Sequence, residues 1–182
     1  MAETGAALDS PFWRFSIGFY RNADVAAACI ALQDEAGVDV NLLLFLLWSA
    51  TQKKTLSQAA VTELDGMIAP WRSNAVIPLR AVRRALKQPP PVVDAGDAEA
   101  FRTRVKAAEL EAERLQQQTM YRLAPSLPFS DAASSVDAAR ANVAAYQATH
   151  RRTFPPAAVD TILKAFTTLS DGTQRTKGNR DG

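Results

Sequence analysis

Residues 38–50, VDVNLLLFLLWSA, constrain this chain more than any other part of it. Asp39 is a helix-capping residue type, and the run from Leu42 to Trp48 leaves no polar face on a helix. A helix that is apolar all round is stable in water only when it is covered on most sides. The run is also well short of the ~20 apolar residues needed to span a bilayer, so the cover has to be protein. The pattern therefore predicts an all-α fold, a compact orthogonal or bundle-like helical domain around this central helix, with Trp48 buried in it.

The flanking segments read as helices of the kind required. Ser10-Pro11 places a capping residue before a proline at the first helical position, where a missing N–H costs nothing. The helix that follows is short and aromatic, carrying Phe12, Trp13, Phe15, Phe19 and Tyr20. Asn22 caps a second, whose face is Val25, Cys29, Leu32 and Ala36, and Gly37 ends it. Ser57 caps a fourth with the stripe Val61, Leu64, Ile68 and Trp71, which Pro70 is expected to end or kink. A fifth carries Leu79, Val82 and Leu86, with Pro78 in its first turn. Beyond the stiff proline-rich residues 88–96, the longest helical pattern covers residues 97–124, with a seam of Phe101, Val105, Ala108, Ala112 and Leu115. Residues 8–124 thus form one helical domain in this reading. Residues 125–169, rich in alanine and proline, read as an independent helical extension, and the polar residues 170–182 as a disordered tail.

Composition narrows function mainly by exclusion. The 182 residues carry 21 basic and 19 acidic side chains, a net charge of +2, which disfavours a dedicated nucleic-acid binder. Cys29 is the only cysteine, so no intrachain disulfide can form, as suits a reducing compartment. The opening MAETGAALDSPFW has neither the basic nor the apolar region of a secretory signal. A cytoplasmic protein without membrane insertion is the expectation. Cys29 and His150 lie in unrelated segments with no metal-ligand spacing, and no Glu-x-x-His pair occurs. There is no Gly-x-Ser-x-Gly elbow, phosphate-binding glycine loop or Asp-rich helical motif. The chain is accordingly expected to use no metal, cofactor or catalytic residue.

Two features are candidates for binding. Arg80, Arg83, Arg84 and Lys87 recur at helical spacing, and with Arg72 they meet no acidic residue between Gly66 and Asp94. They read either as a docking face for an acidic partner or as a solvated face opposite the Leu79–Val82–Leu86 stripe. Trp13-Arg14 and Trp71-Arg72 repeat one dipeptide in separate helices. Each tryptophan is expected inside, with its arginine at the rim, where two guanidiniums could grip a carboxylate or phosphate or simply form salt bridges. Asn41, in the first turn of the central helix, is expected buried with a partner, since an unpaired group there costs about 1–3 kcal/mol.

The blocks FWRFSIGFY, VAAACIALQDEAGVDVNLLLFLLW, APWR with PLRAVRRALK, and RVKAAELEAERL carry a likeness. Over residues 11–124 the chain resembles a proteobacterial family of uncharacterised helical proteins, domain of unknown function 2390. The resemblance implies a small helical cytoplasmic protein and brings no activity, cofactor or site residue with it. The leading expectation is a non-catalytic adaptor or assembly factor with an unknown protein partner. The alternative is a helical pocket, binding or enzymatic, for a small apolar or amphipathic acid, lined by Phe12, Phe15, Phe19 and Phe45, with Arg14 or Arg72 on the acid group. A third is weak nucleic-acid binding through the face from Arg72 to Lys87.

Overall fold

The computed structural model describes residues 10–178, with side chains as far as Asp171. The absence of a secretory signal in residues 1–9 and the disorder expected of residues 179–182 therefore concern positions outside the described residues. Helix α1 spans Pro11–Tyr20, α2 Ala23–Ala31, α3 Val40–Thr51, α4 Gln58–Trp71, α5 Ile77–Ala85, α6 Ala95–Leu123, α7 Ser135–Ala148 and α8 Pro156–Gly178. The helical domain is the one the apolar run requires. Leu42, Leu43, Phe45, Leu46 and Leu47 are wholly buried in α3, which packs against α1, α6 and α7. Most of the capping residues fall where expected. Ser10, Asn22, Asp39 and Ser57 each accept a hydrogen bond from a backbone N–H of the first turn that has no helical partner of its own.

Two π-turns interrupt the α geometry, Leu32–Ala36 after α2 and Arg72–Val76 between α4 and α5. The second explains why Pro70 does not end its helix. The chain stays helical from Gln58 to Ala85, and the wider turn sits between the two places where Pro70 and Pro78 remove a backbone donor. Gly37 closes the first π-turn with φ +73°, the left-handed conformation that glycine adopts without cost.

The segment after Pro125 is not an independent appendage. Helix α7 lies along α3, and α8 packs on α2 and α7. Ala138, Ala139, Val143, Tyr146, Phe154, Ile162 and Phe166 complete the same core as α3. Asn142, fully buried, donates to the carbonyls of Leu46 (2.9 Å) and Lys54 (3.0 Å) and accepts from Leu56 N (2.9 Å), tying α7 to the middle of α3 and to the α3–α4 connection. A two-residue antiparallel ladder, β1 (Lys54–Thr55) with β2 (Ser130–Asp131), fixes the loop before α7. Helix α8 also continues to Gly178, into the stretch expected to be a tail. Among the described residues no helix is long and apolar enough to cross a membrane.

Candidate functional site

Helix α1 is short and aromatic because it serves two surfaces. Phe12 and Phe19 enter the core, where Phe12 meets Phe45 edge-on at 5.4 Å. Trp13, Ser16, Ile17, Tyr20 and Arg21, spaced three, one, three and one apart, form a second face that lines a cavity of about 860 Å³. Matching faces of other helices enclose it. Ile30, Gln33 and Asp34 come from α2 and its π-turn, and Val40, Asn41 and Leu44 from the start of α3. Arg80, Arg83 and Arg84 come from α5 and Lys87 from the turn after it, and Lys106, Glu109, Leu110, Glu113 and Gln117 from α6.

Apolar and charged side chains share the exposed edge of the cavity, and an ion-paired cluster lies further in. Ile17, Tyr20, Ile30 and Leu110 are exposed at its edge. Inside, Arg80 donates to Glu109 (3.0 Å) and Glu113 (2.6 Å), and Arg83 binds both oxygens of the buried Glu109. At the mouth Arg84 pairs with Asp34 at 2.9 Å. Burial alone would raise the Glu109 carboxyl, but the hydrogen bonds and charges of Arg83 and Arg80 together hold it below the ordinary glutamate value. Glu113 behaves oppositely: burial raises its carboxyl, and the charge of Arg80 offsets only part of that. Burial likewise raises the Tyr20 phenol, with Cys29 and Glu113 adding to the effect. The lining holds six basic and three acidic side chains, so the cavity carries an excess of three positive charges. Each arginine also keeps N–H groups beyond those given to carboxylates, since a guanidinium has five.

Beside the cavity, a second polar cluster is structural. Asp39 is buried, and its Oδ1 caps α3 by accepting from Asn41 N (2.9 Å) and Leu42 N (3.4 Å). Its Oδ2 accepts from Arg72 (2.8 Å) and Gln116 (2.5 Å), while Tyr146 Oη accepts from its backbone N–H (3.0 Å). Arg72 is also bonded to Asp65 at 2.6 Å. Burial would ease its proton off, yet the two carboxylates hold it on more firmly than in water. Asp39 thus joins α3, α6 and the π-turn after α4 through its side chain and α7 through its backbone N–H.

The sequence-predicted residues divide accordingly. Arg80, Arg83, Arg84 and Lys87 do line one cavity, but only Arg80 and Arg83 turn onto α6, while Arg84 and Lys87 stay exposed. The counter-charges of Arg80 and Arg83 are Glu109 and Glu113, about 30 residues away in sequence. Val82 is the exposed side of α5, at 43%. Arg72 is committed to Asp39 and Asp65, Arg14 is exposed, and neither lines the cavity, so the two dipeptides build no joint rim. Asn41 is buried and paired as expected, its Oδ1 accepting from Gln117 Nε2 at 2.8 Å. Trp13 and Trp48 are half-buried rather than buried, Trp13 because it lines the cavity and Trp48 because it lies in an aromatic group with Phe12, Phe45 and Tyr121. Trp71 is exposed, at 42%, and pinned by its indole N–H to the Ala112 carbonyl at 2.9 Å. The pocket expected between Phe12, Phe15, Phe19 and Phe45 does not form, because Phe12, Phe19 and Phe45 are packed in the core.

A family model, protein of unknown function DUF2390, matches residues 11–120. The chain belongs to that family. In this DUF2390 protein the match covers every residue that lines the cavity, while α7 and α8 lie beyond it. No curated protein and no solved structure matches the chain. Among the described residues no group of His, Cys, Asp or Glu is placed to hold a metal ion.

Proposed function

We propose that this DUF2390 protein binds a small amphipathic acid in the cavity between α1, α2, α3, α5 and α6. The observation that carries the reading is the composition of the walls. Exposed apolar side chains, Ile17, Tyr20, Ile30 and Leu110, share the cavity edge with exposed Arg21, Lys87 and Lys106, which give the lining three more positive than negative charges above an ion-paired interior. The volume, about 860 Å³, is within the range of small-molecule sites, which run from roughly 300 to 1,000 Å³. The apolar side chains take the hydrocarbon part, and Arg80, Arg83 and the basic residues at the mouth take the acid group. No reacting group is assigned, so the role is binding rather than catalysis. Docking of an acidic protein or a nucleic acid on the α5 face has less support, because Glu109 and Glu113 already face its arginines.

Calorimetric titration with decanoate, decanol and decylamine tests the reading, because the three differ only in head group. Decanoate is expected to bind most tightly, and Ile30→Trp, at a half-exposed rim position, to block it. Equal binding of all three, or no saturable binding of decanoate, would overturn it.

A further inference from the structure

The cavity holds two classes of polar group that differ in how well they are satisfied. The carboxylates of Asp34, Glu109 and Glu113 are each bonded to an arginine. Ser16 Oγ and Gln117 Oε1 are buried, belong to residues that line the cavity and are only 3% exposed, and have no hydrogen-bond partner.

Ser16 does not lack a partner for want of one within its own helix. Helical hydroxyls elsewhere in the chain bond back one turn: Ser49 donates to the Phe45 carbonyl at 2.9 Å, Thr62 to Gln58 at 2.9 Å and Thr119 to Leu115 at 3.0 Å. Ser16 has the Phe12 carbonyl in the same relative position and is not bonded to it. Gln117 uses its amide N–H₂ on Asn41 Oδ1, which leaves its carbonyl oxygen as a fixed acceptor. Buried polar groups are satisfied in the great majority of cases, so two orphans in one cavity mark a place where something else supplies the bonds.

Position along α6 separates this pair from the charged groups. Gln117 lies one turn beyond Glu113 and two beyond Glu109, about 6 Å and 12 Å along the helix axis. One chemical group has the chemistry to answer either orphan. A hydroxyl donates one hydrogen bond, to Gln117 Oε1, and accepts others, as from Ser16 Oγ–H. An ether or a second carboxylate offers no donor to the amide oxygen.

Resting on the amphipathic-acid reading above, we propose that Ser16 and Gln117 form a second polar subsite that selects a hydroxy acid, with the hydroxyl set apart from the acid group along the ligand. The probes are hexanoate, octanoate and decanoate, each beside its terminal hydroxy acid and the methyl ether of that hydroxy acid. Calorimetry on the full chain is expected to find the best-fitting hydroxy acid bound roughly three- to tenfold more tightly than its parent acid, the worth of one net hydrogen bond, with the ether no tighter than the parent. Ser16→Ala and Gln117→Met are expected to bring hydroxy acid and parent toward parity, read as the ratio of the two affinities measured on the same variant. Ser16→Ala should also melt no lower than wild type without ligand, since it removes an unpaired hydroxyl. Should Gln117→Met fail to fold, the Ser16→Ala titration still decides. Parent acids that bind with no gain from the hydroxyl would overturn this subsite and leave the acid-binding reading standing. Failure of every acid to bind would overturn both.

Discussion

Glu109→Gln separates stability from binding by sign. Glu109 is 5% exposed and accepts from both Arg80 and Arg83. Breaking a buried pair costs about 3–5 kcal/mol when the surviving charge has no other partner. Here Arg80 keeps Glu113 at 2.6 Å, and the arginine side chains remain 19% and 23% exposed. The glutamine oxygen also still accepts one bond, so a loss of about 2 kcal/mol is the reasonable discount. In a chain of this size that lowers Tm by about 4–8 °C. Ligand binding should move the other way. Removing a negative charge ~6 Å from a bound anion is worth up to ~3 kcal/mol at an effective dielectric of 20, which screening at the open mouth reduces to ~1 kcal/mol. Decanoate should therefore bind roughly fivefold more tightly to a protein that melts lower. Thermal unfolding followed by circular dichroism, with calorimetry on the same preparation, reads both. A variant that melts lower and binds decanoate more weakly would refute the electrostatic argument. The pH dependence carries the same sign: the Glu109 carboxyl is held low in the folded state, so its contribution is present above the ordinary glutamate value. It is lost as pH falls through the depressed one, and acid should cost wild type more stability than Glu109→Gln.

Three further outcomes follow from the same geometry. Because burial raises the Glu113 carboxyl, it takes up a proton above the ordinary glutamate range and adds to the cavity's positive charge. Affinity for decanesulfonate, which stays ionised, should rise as pH falls through that range, and Glu113→Gln should flatten the profile; a flat wild-type profile would contradict this. Asp39→Ala removes the α3 cap and leaves Gln116 and Arg72 short of a partner, so urea unfolding should report a loss of about 3–4 kcal/mol, and a loss under ~1 kcal/mol would show the cluster to be incidental. Burial pushes the Cys29 thiol up to about 12, so native protein should resist iodoacetamide and react only once unfolded, as mass spectrometry of timed samples would show.

The central helix was legible because residues 42–48 permit only one environment, and the caps because they act over three residues. The cavity was not legible, for a physical reason that recurs in α6. Pattern reading places apolar residues inside, so Phe101 and Leu115 mark its seam, yet they are 47% and 37% exposed. The buried face runs through Val105, Glu109, Ala112, Gln116 and Met120. Glu109, Gln116 and Gln117 can be buried only because Arg80, Arg83, Asp39 and Asn41 meet them there, and those partners lie 26 to 77 residues away. The same distance hid the counter-charges of α5, whose arginines have no acidic neighbour in sequence. Helix α7 was misjudged for a different reason. Its alanines give weak amphipathicity, but Ala138 and Ala139 are fully buried beside α3, and Asn142 and Tyr146 supply the specific bonds. A usable signal was present in α1, where both Phe12-Phe19 and Trp13-Ile17-Tyr20 form apolar faces; a helix that short with two of them has two surfaces to cover.

The most direct test of the account is to locate decanoate by amide chemical shifts in isotope-labelled protein. Saturable shifts centred on Ser16, Tyr20, Asn41, Arg83 and Gln117 are the predicted result. Shifts centred instead on the outer surface around Val82 and Phe101, or none that saturate, would show that the cavity does not bind the acid.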